Sequence, residues 1–159
     1  MKTLLVVSDS HGNIKALEKL RPLIAENDYF IHLGDGVADI KSLRDEFPKK
    51  TYFCAGNCDF FSAYPSEGIM DVEKLRIFYT HGHKYGVKND LQTLATVAKS
   101  KGCDVALYGH THTPMITKID GVTLINPGAM RLSGVNPVYA YLVVNGDKNT
   151  CVLVGETVR

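Results

Sequence analysis

The sequence has neither the basic stretches nor the long apolar runs that mark several other classes of protein. Its 18 lysine and arginine residues are scattered and are balanced by 17 aspartate and glutamate residues, which leaves a net charge of +1 with neutral histidines. A nucleic-acid partner is therefore not expected. The first apolar run, residues 4–7, is too short for a signal peptide or a membrane span, so we expect a cytoplasmic protein that does not enter a membrane.

Paired Cys-x-x-Cys motifs are also missing. In a reducing compartment the four cysteines are therefore expected to be free thiols. We interpret Cys54, Cys103 and Cys151 as small core residues, because free cysteine is usually buried. Cys58 lies in a motif that is discussed below.

The sequence does contain enough apolar material for one globular domain. It has 159 residues, of which 45% are hydrophobic and 22% are charged, the ordinary range for a chain with a continuous core. No internal repeat, low-complexity segment or linker divides it. We therefore predict a single domain over residues 1–159.

The first half of the chain alternates between strand-like and helix-like segments. Apolar runs predict strands at residues 3–7, 29–33 and 51–55. Helical spacing predicts helices at residues 14–24 and 37–47. Asn13 is expected to cap the first helix, and Pro22 to bend or interrupt it near its end. This alternation predicts a parallel sheet with right-handed crossovers.

The second half of the chain consists mainly of strand-like segments. They are residues 68–72, 75–80, 105–108, 115–119, 122–125, 138–144 and 150–154, with one helix at about residues 90–101. Asn145-Gly146, between the last two strands, is a strong signal for a tight hairpin. We expect an antiparallel second half and, for the whole chain, an α/β fold of two mixed β-sheets packed as a sandwich flanked by helices.

Residues that commonly bind metal ions recur just after the predicted strands. They are Asp9, His11, Asp35, Asn57, His81, His110 and His112. Loops at the carboxyl ends of strands converge at one edge of a sheet, so these side chains are expected to lie together. A single strand-end aspartate is usually a helix cap or turn residue, and a single histidine is usually a surface or core residue. Those roles do not explain why such residues follow five of the predicted strands in one chain.

Carboxylate, amide and imidazole donors together suit two borderline divalent cations held side by side. A shared carboxylate would place the two cations about 3.5–4 Å apart, close enough to clamp a phosphoryl group and activate a water. We therefore expect two divalent metal ions. Mn²⁺ is the expected metal, and Fe²⁺, Ni²⁺ or Zn²⁺ also suit these donors.

Five specific motifs follow one another along the chain: Asp9-x-His11, Gly34-Asp35, Gly56-Asn57-Cys58-Asp59, a later His81, and Gly109-His110-x-His112. They resemble those of the calcineurin-like metallophosphoesterase superfamily, and in particular its small YfcE-like phosphodiesterase family. The resemblance implies a four-layer α/β/β/α fold and the hydrolysis of a small phosphodiester.

The resemblance also implies a role for each residue of the motifs. Asp9, His11 and His112 would hold the first metal, Asn57, His81 and His110 would hold the second, and Asp35 would bridge the two. We predict a catalytic set of Asp35, Asn57, Cys58 and His110. A hydroxide bridging the metals would attack phosphorus directly, so no covalent enzyme intermediate is expected.

Cys58 departs from the superfamily pattern, because many members have histidine at this position. A thiol is a weak hydrogen-bond donor and protonates a leaving group poorly, so activated aryl esters should be favoured. The alternative for Cys58 is a packing residue beside the site.

Four further residues allow more than one interpretation. Asp59 either orients a neighbouring ligand or only forms a turn. His83 is a metal ligand, a substrate-facing group or neither, and His32 is interpreted as a packed histidine bonded to a backbone group. Arg131 either contacts a substrate phosphate or lies on the surface.

Two alternatives to a phosphodiesterase stay open. The first is a phosphomonoesterase or nucleotide pyrophosphohydrolase, although no cluster of cationic residues lies near the motifs. The second is a non-catalytic scaffold, as in the retromer subunit whose fold is similar, although all seven ligand positions have competent side chains. A homo-oligomer is possible.

Overall fold

Two β-sheets contain most of the regular structure in the computed structural model, which describes residues 1–60, 62–131 and 138–155. The strands are β1 (Lys2–Val7), β2 (Tyr29–His32), β3 (Thr51–Phe53), β4 (Glu67–Val72), β5 (Leu75–Thr80), β6 (Val105–Leu107), β7 (Met115–Ile119), β8 (Val122–Asn126), β9 (Val138–Asn145) and β10 (Lys148–Gly155). The α-helices are α1 (Ile14–Glu18), α2 (Arg21–Glu26), α3 (Lys41–Glu46) and α4 (Gln92–Ser100), with 3₁₀ turns at Val37–Ile40 and His83–Tyr85. Among the described residues, no helix has both the length and the apolar character needed to cross a membrane.

The first sheet has the strand order β10-β9-β1-β2-β3. Strands β1, β2 and β3 are parallel, as the alternating first half of the sequence predicts. Strand β9 pairs antiparallel with both β1 and β10. The central strand β1 has an unbroken apolar run because both of its faces are covered, which is typical of a parallel sheet between layers.

The second sheet has the strand order β4-β5-β6-β8-β7. Hairpins β4–β5 and β7–β8 are antiparallel, but β5, β6 and β8 are parallel to one another. The prediction of an antiparallel second half is therefore wrong for these three strands. Helix α4 connects β5 to β6 as a crossover, and a crossover connection brings the next strand back in the same direction.

Three clusters of buried side chains show how the layers stack. The first lies between the sheets and contains Leu4 and Val6 of β1 together with Ile77 and Leu107 of the second sheet. The second packs the outer face of the first sheet against α1, α2 and α3, through residues Leu5, Val7, Leu17, Ile24 and Leu43. The third packs the other sheet against α4, through residues Phe78, Leu94, Ala98 and Leu124. The alternation of Leu4 and Val6 with Leu5 and Val7 places β1 between two cores, and the four-layer prediction is confirmed.

The predicted first helix is divided in two. Asn13 caps α1, since its side chain accepts a hydrogen bond from the Ala16 amide at 3.3 Å. Helix α1 ends at Glu18, and Pro22 lies in the first turn of α2, where a missing N–H breaks no helical hydrogen bond. The predicted interruption at Pro22 is therefore confirmed, although it starts a new helix rather than ending the old one.

The four cysteines are free thiols, as expected. Cys54 and Cys103 are buried, Cys151 is half-buried and Cys58 is exposed. The core interpretation holds for the first two and in part for Cys151. The exposure of Cys58 does not fit a packing role.

Candidate metal centre

The loops that carry the predicted ligands are joined by backbone hydrogen bonds at one edge of the two sheets. The Asp9 amide donates to Gly34 O at 2.9 Å, and the His11 amide donates to Asp35 O at 3.0 Å, which ties the loop after β1 to the loop after β2. In the second sheet, the Gly109 amide donates to His81 O at 2.9 Å. The loops therefore support one another as a unit.

Five of the predicted ligands have a left-handed backbone, with φ of 54° for Asp9, 42° for His11, 56° for Asp35, 69° for His110 and 63° for His112. This conformation costs about 1–2 kcal/mol for a residue other than glycine. Such residues concentrate at functional sites, where the surrounding structure holds them in place. The left-handed turns direct these side chains from separate loops toward one volume.

Asp9, His11 and His112 form the first candidate ligand group, and their ligand atoms all lie within 4.8 Å of one another. Asp9 Oδ1 lies 3.1 Å from His112 Nε2 and 3.6 Å from His11 Nε2. The pKa of His112 is lowered by burial and by the charges of Arg131 and His11, with Asp9 opposing them. A neutral imidazole is the form that binds a metal ion.

Asp35, His81 and His110 form the second candidate ligand group. His81 Nε2 lies 3.3 Å from Asp35 Oδ2 and 3.1 Å from His110 Nδ1. His81 Nδ1 lies 2.8 Å from Leu33 O, and a carbonyl can only accept, so Nδ1 carries the proton. Nε2 is therefore the nitrogen that can bind a metal ion, once it has lost any proton that it shares with Asp35.

The two ligand groups are adjacent. His11 Nε2 lies 3.7 Å from Asp35 Oδ2, and His81 Nε2 lies 3.8 Å from Asp9 Oδ1. A third cluster of possible ligands, His11, Asp35 and Cys58, overlaps both. Asp35 thus lies where a carboxylate shared between two ions would be needed.

Asp35 is held ionised between the two groups. Burial opposes its charged form, but hydrogen bonds with His81 and with the Cys58 amide, at 2.7 Å, hold its pKa below the ordinary value. Burial likewise opposes the charge on His81, but Asp35 and Asp9 outweigh it and raise the pKa of that imidazole.

Asn57 and Cys58 lie on the exposed side of the centre. The Asn57 side-chain amide lies 3.5 Å from Cys58 Sγ, and Asn57 belongs to none of the three clusters, which contain only His, Cys, Asp and Glu. Its role as a ligand therefore stays a prediction. Burial and the charge of Asp35 raise the pKa of the Cys58 thiol.

Asp59 holds the backbone of the predicted ligand Asp35. Its Oδ2 accepts the amides of Asp35 at 2.7 Å and Gly56 at 2.8 Å, and its Oδ1 accepts those of Gly36 at 2.9 Å and Val37 at 3.0 Å. One carboxylate thus joins the loop after β2 to the loop after β3. These contacts extend beyond the turn at residues 56–59, and the role of Asp59 in orienting a metal ligand stays a prediction.

His83 and Arg131 lie beside the centre. The His83 ring lies 5.4 Å from the His81 ring and 6.1 Å from the His110 ring, but His83 belongs to none of the clusters. His83 Nδ1 and Arg131 Nε are buried without a hydrogen-bond partner among the described residues. Both side chains remain candidates for contact with a substrate.

Sequence reasoning missed several residues that hold the ligand loops. Ser8 Oγ donates to Asp9 Oδ2 at 2.5 Å, and the His110 amide donates to the same oxygen at 3.0 Å. The fully buried Asn126 donates to Gly109 O at 3.2 Å and to Thr111 Oγ1 at 2.9 Å, which fixes the loop between His110 and His112. The contacts of His110 and Asn126 follow no sequence spacing, since their partners lie 101, 17 and 15 residues away, and Ser8, although next to Asp9, belongs to no motif that marks it as a supporting residue.

His32 is the packed histidine that the sequence indicates. It is fully buried, its Nδ1 accepts the Gly34 amide at 3.1 Å, and its Nε2 therefore carries the proton and faces Ser10 Oγ at 2.9 Å. Ser10 donates onward to Asp39 at 2.7 Å. Burial lowers the pKa of His32 to about 4, against the opposing charges of Asp59, Asp9 and Asp39.

We expect His32 to make stability depend on pH between 6.5 and 4. In this window the unfolded chain protonates its imidazole and the folded protein does not, so stability falls as the pH drops. The loss by pH 4.5 is about 2–3 kcal/mol. Chemical denaturation of metal-stripped wild type and His32→Asn at pH 7 and 4.5 measures it. The stability advantage of wild type should shrink by that amount at the lower pH, and an equal advantage at both values would contradict this account.

Gly56 leaves no room for a side chain beside Asp35. A Cβ at this position would overlap Asp35 Oδ1 and lie 2.7 Å from the Asp35 backbone nitrogen. The added methyl group would displace Asp35. We therefore expect Gly56→Ala to lower metal affinity about 10- to 100-fold, the loss that is typical when groups supporting a metal ligand are disturbed. Isothermal titration with Mn²⁺ measures this. The control is Gly102→Ala, whose Cβ meets nothing within 4 Å and whose positive φ of 71° costs only about 1 kcal/mol of stability. Equal metal affinity in the two variants would contradict the prediction.

The family follows from this centre and from the length of chain that matches. A model of the calcineurin-like phosphoesterase superfamily domain matches residues 1–149. The chain belongs to this superfamily. As a metallophosphoesterase it is a metal-dependent hydrolase of phosphate esters, and the family binds divalent metal ions.

Relatives and a solved structure agree with this family. The probable metallophosphoesterase YsnB of Bacillus subtilis is 33% identical over 151 residues, which covers 92% of this chain and 86% of the relative. Phosphodiesterase YfcE of Escherichia coli is 28% identical over a 182-residue alignment, which covers 98% of this chain and 94% of YfcE. The crystal structure of a predicted phosphoesterase from Streptococcus pneumoniae superposes with a TM-score of 0.83 at 25% identity and covers 97% of this metallophosphoesterase and 89% of that chain. The YfcE-like family and the fold predicted from the motifs are confirmed.

Proposed function

We propose that this metallophosphoesterase hydrolyses a small phosphodiester at a centre of two divalent cations, with Mn²⁺ as the expected metal. The observation that supports the proposal is the pair of adjacent ligand groups, Asp9, His11 and His112 beside Asp35, His81 and His110. Two groups that meet at one carboxylate suit two ions, whereas a single ion needs only one of them. The relative named phosphodiesterase YfcE favours the diester.

The residues present fit divalent cations. Asp9 is fully buried and Asp35 is 3% exposed, and buried carboxylates need positive charge nearby. Among the described residues, histidines alone form ion-pair contacts with these two carboxylates, and no lysine or arginine does. Imidazole and carboxylate donors of this kind select Mn²⁺, Fe²⁺, Ni²⁺ or Zn²⁺.

Each protein group has a defined part in the proposed reaction. Asp9, His11 and His112 would hold one cation, His81 and His110 with Asn57 would hold the other, and Asp35 would be shared. Bound cations would lower the pKa of a water molecule and offset the charge of the phosphate. Ser8 and the His110 amide fix the Asp9 carboxylate, and Asp59 fixes the backbone of Asp35, so that the ligands do not reorganise during the reaction.

The leaving group receives no proton from a histidine at position 58. Cys58 is a neutral thiol with a raised pKa and a weak donor. Esters whose leaving group is stable as an anion should therefore react faster than alkyl esters. This favours aryl phosphodiesters as assay substrates.

A direct comparison of two aryl esters tests the proposed substrate class. Metal-stripped protein is supplied with Mn²⁺, and kcat/KM is measured for bis-p-nitrophenyl phosphate and for p-nitrophenyl phosphate. The proposal predicts Mn²⁺-dependent turnover with the diester preferred. Preference for the monoester would favour a phosphomonoesterase or pyrophosphohydrolase, and bound metal with no turnover of either ester would favour a scaffold.

A further inference from the structure

A cavity of about 530 Å³ opens directly beside the metal centre. Cys58 and Asp59 line one side of it, and Arg44 and Lys41 of α3 line another. Cys58 Sγ is also within 4.8 Å of the ligand atoms of His11 and Asp35. A group esterified to a phosphate at the metal centre can therefore enter this cavity, whose volume is typical of a site for a small organic ligand.

Arg44 gives the cavity a fixed positive charge. Its guanidinium lies 4.7 Å from the Phe53 ring centroid and 5.2 Å from that of Tyr64, and its Nη1 donates to the Tyr64 hydroxyl at 3.0 Å. Its Nε is buried without a hydrogen-bond partner among the described residues, so only the terminal Nη groups can meet a ligand, and no carboxylate of those residues forms an ion pair with the guanidinium. An arginine held by two rings and lacking a counter-ion can bind an anion through the Nη donors that Tyr64 does not use.

Other charges near the cavity do not neutralise Arg44. Lys41 adds a second positive charge, although it pairs with Asp45 at 2.9 Å on the solvent side. Both oxygens of Asp59 are engaged by four backbone amides. The terminal Nη groups of Arg44 are therefore available to an anion in the cavity. The Asp59 carboxylate does not compete for them, because backbone amides already bind both of its oxygens.

Two aromatic side chains give the cavity an apolar wall. Phe60 is 76% exposed and Tyr64 is 44% exposed, and both line the cavity. An exposed phenylalanine ring gains free energy when a ligand covers it. Planar rings, such as nucleobases, stack on aromatic side chains of this kind.

We propose that this cavity binds one ester substituent of the phosphodiester, and that the substituent has a planar ring and a second anionic group, as in a nucleotide with a further phosphate. The ring packs on Phe60 and Tyr64, and the second anion accepts hydrogen bonds from Arg44. This inference rests on the proposed phosphodiesterase function and specifies its substrate class.

Three substrates with the same leaving group separate the parts of the inference. They are methyl p-nitrophenyl phosphate, thymidine 5′-(p-nitrophenyl phosphate), and the same thymidine ester with a 3′-phosphate. All three release p-nitrophenolate, so ratios of kcat/KM report on the substituent alone. With Mn²⁺-loaded wild type we expect the thymidine group to raise kcat/KM about tenfold over methyl. We expect the 3′-phosphate to raise it a further 10- to 100-fold or thereabouts.

Variants assign each gain to its residue. Phe60→Ala should remove most of the gain from thymidine, and Arg44→Gln should remove most of the gain from the 3′-phosphate, while Arg44→Lys keeps part of it. Arg76→Gln is the control, because this arginine pairs with Asp71 in the other sheet and should leave both ratios unchanged. Thermal unfolding of each variant shows whether it is folded. A folded Arg44→Gln that loses the 3′-phosphate gain, beside an Arg44→Lys that keeps part of it, shows that recognition of the anion is lost and not the fold.

The outcomes distinguish the inference from the function on which it rests. No Mn²⁺-dependent hydrolysis of any of the three esters would overturn the proposed function and this inference with it. Hydrolysis of all three at similar kcat/KM would overturn the inference alone. A 3′-phosphate gain that survives Arg44→Gln would also overturn it, because the anion would then bind elsewhere.

Discussion

Replacing Asp35 by asparagine is expected to lower phosphodiester hydrolysis by about 10²- to 10³-fold or more, the loss that follows removal of a group that stabilises developing charge. Asp35 contacts His81 at 3.3 Å and lies 3.7 Å from His11, so it adjoins both ligand groups. Asparagine has nearly the same shape but no negative charge to share between two cations. The measurement is kcat/KM for bis-p-nitrophenyl phosphate across a range of Mn²⁺ concentrations.

The matched control for Asp35→Asn is Asp71→Asn. Asp71 is an exposed aspartate that pairs with Arg76 on the second sheet, so the same loss of charge occurs away from the centre. The control should keep wild-type activity. If Asp35→Asn kept more than about a tenth of the activity at saturating Mn²⁺, the shared-carboxylate assignment would be wrong, because the expected loss is at least ten times larger.

Asp59→Asn should have the second largest effect, on both stability and metal affinity. Each oxygen of Asp59 accepts two backbone amides, so an asparagine in either orientation turns its NH₂ group toward two N–H donors. Two part-buried amides then lose their acceptor, which costs about 2–4 kcal/mol of unfolding free energy. The Asp35 loop is also released, so Mn²⁺ affinity should fall about 10- to 100-fold.

Asp104→Asn provides the control for this second prediction. Asp104 also accepts a backbone amide, that of Arg76 at 3.0 Å, but through one oxygen and at an exposed site. It should lose less than about 1 kcal/mol and bind Mn²⁺ as wild type does. Urea denaturation and isothermal titration measure the two effects. Wild-type Mn²⁺ affinity in Asp59→Asn would show that the carboxylate serves the turn alone.

The positions of the candidate ligands could be predicted because they depend on local sequence. Strand ends are visible where an apolar run stops, and glycines beside Asp35 and His110 mark tight turns there. Parallel strands then bring these ends to one edge, so distant residues such as Asp9 and His112 meet at 3.1 Å. The left-handed φ of five ligands could not be predicted, since aspartate and histidine rarely adopt it without tertiary support.

The supporting contacts and the strand directions in the second sheet could not be predicted from the sequence. Asn126 holds a ligand loop through a hydrogen bond to Gly109, 17 residues away, which follows no spacing rule. Ser8 bonds to the adjacent Asp9, but no motif marks it as a supporting residue. The direction of β6 depends on the crossover through α4, and that of β8 depends on its hairpin with β7, which places β8 next to β6; periodicity alone does not give strand direction. The cavity at Arg44 depends on the stacking of Phe53 and Tyr64 around one side chain, which only the folded chain shows.

The central claim is that two metal ions act together in one hydrolytic centre. Equilibrium dialysis of metal-stripped protein against Mn²⁺, with bis-p-nitrophenyl phosphate hydrolysis measured on the same samples, tests it most directly. The account predicts two Mn²⁺ per chain and hydrolysis that rises as the second ion binds. Saturation at one ion per chain, or two bound ions without hydrolysis, would contradict it.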